Sequence, residues 1–298
     1  MMNEADHRTF RTPRPRTRIL VDGGDPDETK AIKDLLGFVD GQTTNPSLIA
    51  KNPEIARLVQ SGEKLTPSQE ADEYRKIVQA ISPLVGDAGV SIEVFGDLQT
   101  PAERMYQQGR EMFSWIPNAY VKYPCTSEGL KAAERSVREG IRVNITLCFS
   151  QEQAAAVYGA TRGTHAPAYV SPFIGRLDDI GQNGVDVVSS IKRMYARGDG
   201  HVLVLAASIR SLEHLLCCFS IDADLVTVPG KILREWAEAG FPMPDAAFKY
   251  EPKGSRIDYR ELDLDRPWQQ FNIEHELTTK GVEKFAADYR ATLYPKAS

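Results

Sequence analysis

Reactive polar side chains stand at the ends of short β-like runs in this sequence. Lys122 is the most informative, because it lies near the end of the run Asn-Ala-Tyr-Val-Lys-Tyr-Pro at 118–124. Pro124 should stop that strand, since proline has no N–H to donate to a ladder. The polar residues at the ends of the other runs are Asp22, Thr43, Asn45, Glu93, Asn144, Thr146, Ser171 and Ser208.

Each of these residues alone has an ordinary structural explanation. Most lysines are solvated, and Asp or Asn often caps a turn. Residues two apart in a strand share a face, so Asn144 and Thr146 should point into a barrel while Ile145 points outward. A lysine and two carboxylates in a buried mouth are costly unless they are paired or functional. The whole set therefore predicts a catalytic site.

The residue types favour Schiff-base chemistry with a carbonyl substrate. A lysine amine must be neutral to attack, and its reference pKa is about 10.4. Burial and a nearby cation would lower that pKa, whereas neighbouring carboxylates would oppose the shift. A carboxylate would then serve as general base in a carbon–carbon step.

Two loop arginines point to a phosphate group on the substrate. Arg176 ends the stretch Pro-Phe-Ile-Gly-Arg after the sixth run, and Arg210 follows Ser208 after the seventh. Arginine binds phosphate bidentately, and loops after the last strands of a barrel often hold phosphate. The alternative, two surface arginines in loops, is weakened by the nearby serine.

The elements that must position these residues alternate along the chain. The β-like runs are 18–22, 37–44, 89–95, 119–123, 141–147, 168–171, 201–206 and 225–228. The helix-like segments are 26–36, 54–60, 68–84, 101–115, one from 127, 151–158, 185–196, 212–219 and 231–239. This alternation predicts an α/β fold with a parallel sheet. Eight units fit a single-domain (β/α)8 TIM barrel, which the polar strand residues favour over a doubly wound sheet.

The remaining segments extend this barrel. Residues 1–17 are rich in Arg and Pro and predict a flexible N-terminal arm. We expect residues 18–298 to form the barrel, with a surface excursion at 241–272. An extra C-terminal helix is predicted at 281–293, because its apolar residues recur at helical spacing.

Composition narrows the partners and the compartment. The net charge of -5 gives no argument for nucleic acid, and no apolar run is long enough for a membrane span. The five histidines and four cysteines lack the spacing of a metal site or disulfide framework. We therefore expect a cytoplasmic protein without a metal or cofactor and without a membrane or nucleic-acid partner. Whether it forms a homo-oligomer stays open.

Several motifs together resemble the transaldolase family, a class I Schiff-base group of (β/α)8 aldolases. They are Thr-Thr-Asn-Pro-Ser-Leu-Ile at 43–49, Ile-Glu-Val at 92–94, Val-Lys-Tyr-Pro at 121–124, Asn-Ile-Thr-Leu at 144–147 and Ser-Pro-Phe-Ile-Gly-Arg at 171–176. The segment at 277–286 also resembles the last helix of that family. Motifs in the right order are far more specific than any one alone.

The resemblance implies a role for each matching residue. Lys122 would form the Schiff base with the C2 carbonyl of a ketose phosphate, and Asp22 would take the C4 hydroxyl proton. Glu93 and Thr146 would hold a water that shuttles protons. The residues implied to bind the sugar are Asn45, Asn144 and Ser171, beside Thr43, and those implied to bind its phosphate are Arg176, Ser208 and Arg210. The substrates implied are sugar phosphates, with fructose 6-phosphate or sedoheptulose 7-phosphate as donor.

Two alternatives remain at the level of sequence. Fructose 6-phosphate aldolases share the fold and the lysine, but related aldolases typically have Gln at the position of Glu93 and Tyr at that of Phe173. A sugar-phosphate binding protein without turnover is the other, although binding alone needs no proton relay. The sequence departs from the family pattern at Gly23, in the N-terminal arm and in the 241–272 segment.

Overall fold

The barrel predicted from the sequence is confirmed. The computed structural model describes residues 12–61 and 64–294, and within them eight parallel strands close in the order β1 to β8. The strands are β1 (Arg18–Asp22), β2 (Gly41–Thr43), β3 (Gly89–Glu93), β4 (Ala119–Pro124), β5 (Val143–Cys148), β6 (Ala168–Pro172), β7 (Val202–Ala206) and β8 (Leu225–Val228).

Helices surround the barrel and cover its outer surface. They are α1 (Pro26–Leu36), α2 (Pro46–Ala50), α3 (Pro53–Gln60), α4 (Pro67–Ile81), α5 (Ala102–Phe113), α6 (Ser127–Arg138), α7 (Gln151–Ala160), α8 (Ile174–Asp178), α9 (Gly184–Tyr195), α10 (Leu212–Ser220), α11 (Gly230–Glu238) and α12 (Glu276–Ala291). Side-chain caps begin most of them; Thr66 and Gln69, for example, form a capping box at α4.

The barrel interior changes from apolar to polar along the strands. A separate cluster of buried side chains, including Leu20, Tyr120, Tyr169 and Leu225, fills the lower part. The rings of Tyr120 and Tyr169 stack with centroids 4.2 Å apart. Because side chains two apart share a face, the next inward residues on these strands are Asp22, Lys122, Ser171 and Thr227. This apolar cluster therefore lies beneath a layer of polar side chains at the carboxyl ends of the strands.

Some element boundaries differ from the sequence prediction. The second strand is shorter than 37–44, because Gly37 adopts a left-handed φ of 78° and ends α1. The last helix begins before 281, because the His275 side chain accepts a hydrogen bond from the Leu277 N–H as its N-cap. The loop expected after the sixth strand contains the short helix α8.

Two segments lie outside the barrel: the start of the chain and the stretch between α11 and α12. Residues 1–11 of the predicted arm lie outside the described residues. Between α11 and α12 the chain has little regular structure besides a 3₁₀ turn at Trp268–Gln270, whose Trp268 is buried against α7. All four cysteines are free and buried. Among residues 12–61 and 64–294, no helix is long and apolar enough to cross a bilayer.

Candidate active site

Lys122 is buried at the carboxyl end of β4 and faces two acceptors. Its Nζ lies 3.0 Å from Oε2 of Glu93, and both side chains are at most 4% exposed. Nζ also donates a hydrogen bond of 3.2 Å to the backbone carbonyl of Thr44. The two side chains meet because Glu93 and Lys122 are partners in the register of β3 and β4. The amine is therefore oriented by fixed groups and excluded from bulk water.

Glu93 is poised to exchange a proton with this amine. Burial raises the pKa of Glu93, and the nearby Lys122 opposes that rise. Burial outweighs the attraction here, so the carboxylate is a stronger base than a solvated glutamate. A stronger base beside a lysine is what deprotonation of the amine requires.

Asp22 supplies a second carboxylate to the same mouth. Its Oδ1 accepts a hydrogen bond of 2.8 Å from the Thr43 hydroxyl. Thr43 has a single hydroxyl proton, so Thr227, 2.6 Å away, donates to Thr43 in turn. Burial raises the pKa of Asp22, although Lys122 and the Thr43 hydrogen bond lower it. The Asp22 carboxylate is thus oriented by the Thr43 hydroxyl and is more basic than a solvated aspartate.

The β5 and β6 residues predicted for the site lie beside Lys122. The Asn144 side chain donates a hydrogen bond of 3.0 Å to the Ser91 hydroxyl and accepts one of 2.7 Å from the Ser171 hydroxyl. Thr146 is fully buried, and its hydroxyl has no hydrogen-bond partner among the described residues. A buried hydroxyl without a protein partner is a natural ligand for a bound water.

Arg176 carries an unpaired cation into the cavity. Among the described residues its guanidinium makes no hydrogen bond or ion pair; it lies between the rings of Phe173 and Phe285, 5.2 and 5.4 Å from their centroids. Burial lowers the pKa of Arg176, and Glu93 opposes this. Half-buried and unneutralised, this group can bind an anion.

The other residues predicted to bind phosphate lie on the same side of the cavity. Ser208 adopts a left-handed φ of 59°, which is strained for a residue with a side chain. Arg210 donates two hydrogen bonds of 2.8 Å to the carboxylate of Asp179. Arg210 is therefore neutralised by a carboxylate, whereas Arg176 has no such partner among the described residues.

One cavity of about 230 Å³ brings most of the predicted residues together. The predicted residues that line it are Asp22, Thr43, Asn45, Lys122, Ser171, Arg176, Ser208 and Arg210. Glu93, Asn144 and Thr146 do not line it and are buried beneath its surface. A larger cavity of about 480 Å³ lies between α4, α5 and α12; Glu93 lines this one, but neither Lys122 nor Asp22 does. The convergent titratable groups mark the smaller cavity as the candidate site.

The structure adds cavity residues that the sequence analysis missed. They are Ser47, Leu48, Lys51, Ala207, Thr227, Lys284 and Phe285, besides Phe173, whose ring the sequence analysis had considered. Lys51 and Lys284 bring two further amines to the cavity, and the Lys284 amine is paired with the Asp288 carboxylate 2.9 Å away. The nearest signal in the sequence was the motif at 43–49, which ends two residues before Lys51.

Helix α12 lies across the mouth and forms part of the site. The Thr278 hydroxyl donates a hydrogen bond of 2.9 Å to the Leu147 carbonyl near the end of β5. A Cβ on Gly281 would lie 2.7 Å from Nη1 of Arg176, so a larger residue here would displace the guanidinium. Lys284 and Phe285 then line the cavity from above.

Comparisons with known proteins identify the family of this chain. The family model described as Transaldolase/Fructose-6-phosphate aldolase matches residues 19–295. A probable transaldolase of Dehalococcoides mccartyi is 37% identical over 92% of this chain and 98% of its own length. A probable transaldolase of Roseiflexus sp. (strain RS-1) is 32% identical over 92% of this chain and 97% of its own length. A probable transaldolase of Moorella thermoacetica is 39% identical over 73% of this chain and 88% of its own length. The chain belongs to the transaldolase/fructose-6-phosphate aldolase family.

Proposed function

We propose that this protein is a transaldolase, which moves a dihydroxyacetone unit from a ketose phosphate to an aldose phosphate through a Schiff base on Lys122. The observation that carries the proposal is the buried contact between the Lys122 amine and the Glu93 carboxylate, with Asp22 on the same cavity. The donors are fructose 6-phosphate or sedoheptulose 7-phosphate, which places the reaction in the pentose phosphate pathway.

Imine formation uses Lys122 and Glu93. The amine attacks the C2 carbonyl, Glu93 takes the proton that the nitrogen loses, and a water leaves when the carbinolamine collapses. A water between Glu93 and the free hydroxyl of Thr146 would carry protons between the carboxylate and the leaving oxygen. The low exposure of both groups keeps bulk water from competing.

Carbon–carbon cleavage uses Asp22. Its carboxylate accepts the proton of the C4 hydroxyl, the C3–C4 bond breaks, and its electron pair moves to the iminium to give an enamine. The aldehyde phosphate formed from the remaining carbons leaves. The enamine then attacks the carbonyl of an acceptor such as erythrose 4-phosphate, Asp22 returns the proton, and hydrolysis frees Lys122.

Arg176 supports a phosphorylated substrate. Its guanidinium has free donors within the described residues, and Lys51, Ser208 and Lys284 line the same cavity. Bidentate binding of phosphate by an arginine adds both affinity and orientation. Asn45, Asn144 and Ser171 would hold the hydroxyls of the dihydroxyacetone unit.

Phe173 and Glu93 favour transfer over simple aldol cleavage. Phe173 lines the cavity and has no hydroxyl with which to protonate an enamine. Related aldolases typically have Tyr there and Gln in place of Glu93. A phenyl ring in that position would leave the enamine intact until an acceptor arrives.

Borohydride trapping with product analysis tests the proposal. Incubation with fructose 6-phosphate and borohydride should give a reduced adduct on Lys122, located by peptide mass, and none in Lys122→Met. Lys51 and Lys284 line the same cavity and serve as internal controls, so an adduct there instead would refute the assignment. Glyceraldehyde 3-phosphate release that requires erythrose 4-phosphate would indicate a transaldolase; release with free dihydroxyacetone and no acceptor would indicate an aldolase.

A further inference from the structure

Tyr74 reaches from α4, outside the barrel, to the residues that hold Lys122. Its ring is fully buried and packs edge-on against Trp115 with centroids 5.8 Å apart. Its hydroxyl accepts a hydrogen bond of 3.0 Å from the Glu93 backbone N–H and contacts the Thr44 hydroxyl. Tyr74 does not line the cavity that contains Lys122, so it does not contact a substrate there.

The direction of each hydrogen bond around Tyr74 is fixed. The Thr44 hydroxyl has one proton and donates it, over 2.8 Å, to the Ser91 carbonyl. Tyr74 must therefore donate its own proton to the Thr44 oxygen while accepting from the Glu93 N–H. The phenol is thus used fully, as donor and as acceptor, between two neighbouring strand ends.

Those two strand ends carry both acceptors of the Lys122 amine. Thr44 follows β2 and offers its carbonyl at 3.2 Å, and Glu93 ends β3 and offers its carboxylate at 3.0 Å. We propose that Tyr74 is a positioning residue, whose hydroxyl ties Thr44 to Glu93 and so holds the two acceptors that orient the Lys122 amine. The inference rests on the proposed function, since it concerns the amine that would form the Schiff base.

The variant Tyr74→Phe removes the hydroxyl that links Thr44 to Glu93 and keeps the aromatic ring. We expect kcat to fall roughly 10- to 100-fold, as small misplacements of a reacting group can do, with KM nearly unchanged. If Glu93 moves away from Lys122, it loses an attraction that lowers its pKa. The acidic limb of the pH–rate profile should therefore move to higher pH, a change that loss of stability alone would not produce.

Tyr123→Phe is the matched control. Tyr123 is also fully buried, and it neighbours Lys122 on β4, but its hydroxyl bonds to that of Ser136, 2.9 Å away on α6. The two variants lose the same atom from the same degree of burial. Tyr123→Phe should keep the wild-type kcat and pH profile at a temperature where both variants are folded.

Thr44→Val keeps the backbone carbonyl but removes the hydroxyl that receives the Tyr74 proton. This variant should reproduce the shifted pH profile. The Tyr74→Phe/Thr44→Val double variant should have a kcat close to that of either single variant, because all three lose the same hydrogen bond between Tyr74 and Thr44. Additive losses would overturn the proposal. If Tyr74→Phe does not fold, the Thr44→Val profile alone decides.

The amine can also be tested without any sugar phosphate. Acetaldehyde with cyanoborohydride alkylates a lysine through an imine, and peptide mass measures the rate at Lys122. We expect slower labelling of Lys122 in Tyr74→Phe than in wild type and Tyr123→Phe. Equal rates would overturn the positioning role. Wild-type protein that labels at Lys122 yet transfers no dihydroxyacetone would refute the proposed function while leaving this comparison valid.

Discussion

The Nζ of Lys122 and Oε2 of Glu93 lie 3.0 Å apart on adjacent strands, in a part of the barrel almost without solvent exposure. Opposite charges this close stabilise each other, yet burial still raises the pKa of Glu93. Loss of the charge on either partner therefore affects the other. This mutual dependence should be visible in the pH dependence of the reaction.

The acidic limb of the pH–rate profile should lie above the range of ordinary carboxylates. In the proposed mechanism Asp22 and Glu93 act as bases in their ionised forms, and the pKa of each is raised by burial. Activity should fall as the pH falls through these raised values, because protonated carboxyls accept no proton. Measurement of kcat/KM against pH tests this, and a limb near the ordinary aspartate value of 3.8 would contradict it.

Asp22→Ala should separate imine formation from cleavage. Lys122 and Glu93 remain in place, so borohydride should still trap the donor sugar on Lys122. Release of the aldehyde phosphate should slow by about 10²- to 10⁴-fold, since the base for the C4 hydroxyl is missing. The exposed Asp27 on α1 offers a control, as Asp27→Ala removes a carboxylate outside the cavity. Unchanged turnover in Asp22→Ala would remove Asp22 from its role.

Gly281→Ala should weaken binding of the phosphate group. The added methyl would lie 2.7 Å from Nη1 of Arg176 and 2.6 Å from Cδ2 of Leu147, so the guanidinium must move. We expect KM for a phosphorylated donor to rise roughly 10-fold, the effect of weakening one charge-assisted hydrogen bond. Activity on unphosphorylated fructose should change little. Glu283→Ala on the same helix is the control, and an equal loss with both sugars would contradict this role for Arg176.

Glu70→Gln should stabilise the protein at alkaline pH. Glu70 is buried on α4, its Oε2 has no partner among the described residues, and burial raises its pKa from 4.5 to about 8. Its contribution to stability is present below pH 4.5 and is lost as the pH rises to about 8. Relative to wild type, the variant should gain up to roughly 5 kcal/mol across that window.

Urea unfolding at about pH 5 and about pH 8 measures this gain in free energy of unfolding. Glu54→Gln, which removes a carboxyl exposed to solvent, is the control. Parallel stability curves for Glu70→Gln and wild type would show that the Glu70 carboxyl is not perturbed.

Local patterns were sufficient to predict the barrel and the strand-end residues. A lysine before a proline, a glutamate in a β-rich run and the alternating Asn144 and Thr146 each follow from the period of a strand. That Glu93 and Lys122 touch follows from the register of two adjacent strands, which the order of the chain suggests in a barrel. These features depend on residues that are close together in the chain, so they can be predicted from the sequence.

The unpredicted parts of the site depend on packing between distant segments. Arg210 is paired with Asp179, which no local pattern indicates. Lys284 and Phe285 read only as positions on an amphipathic helix, and their place over the cavity depends on how α12 docks. Tyr74 likewise fits the apolar face of α4, although its hydroxyl reaches the strand ends.

The position of α12 in the chain also determines when the cavity is completed during synthesis. All eight strands precede α12, so the partners Lys122 and Glu93 leave the ribosome well before residues 276–291. Elements made early can begin folding before later ones appear. Until α12 has emerged and docked, a nascent barrel has its amine and carboxylates but lacks the Lys284 and Phe285 side of the pocket. The cavity around Lys122 can therefore be completed only after residues 276–291 have been made.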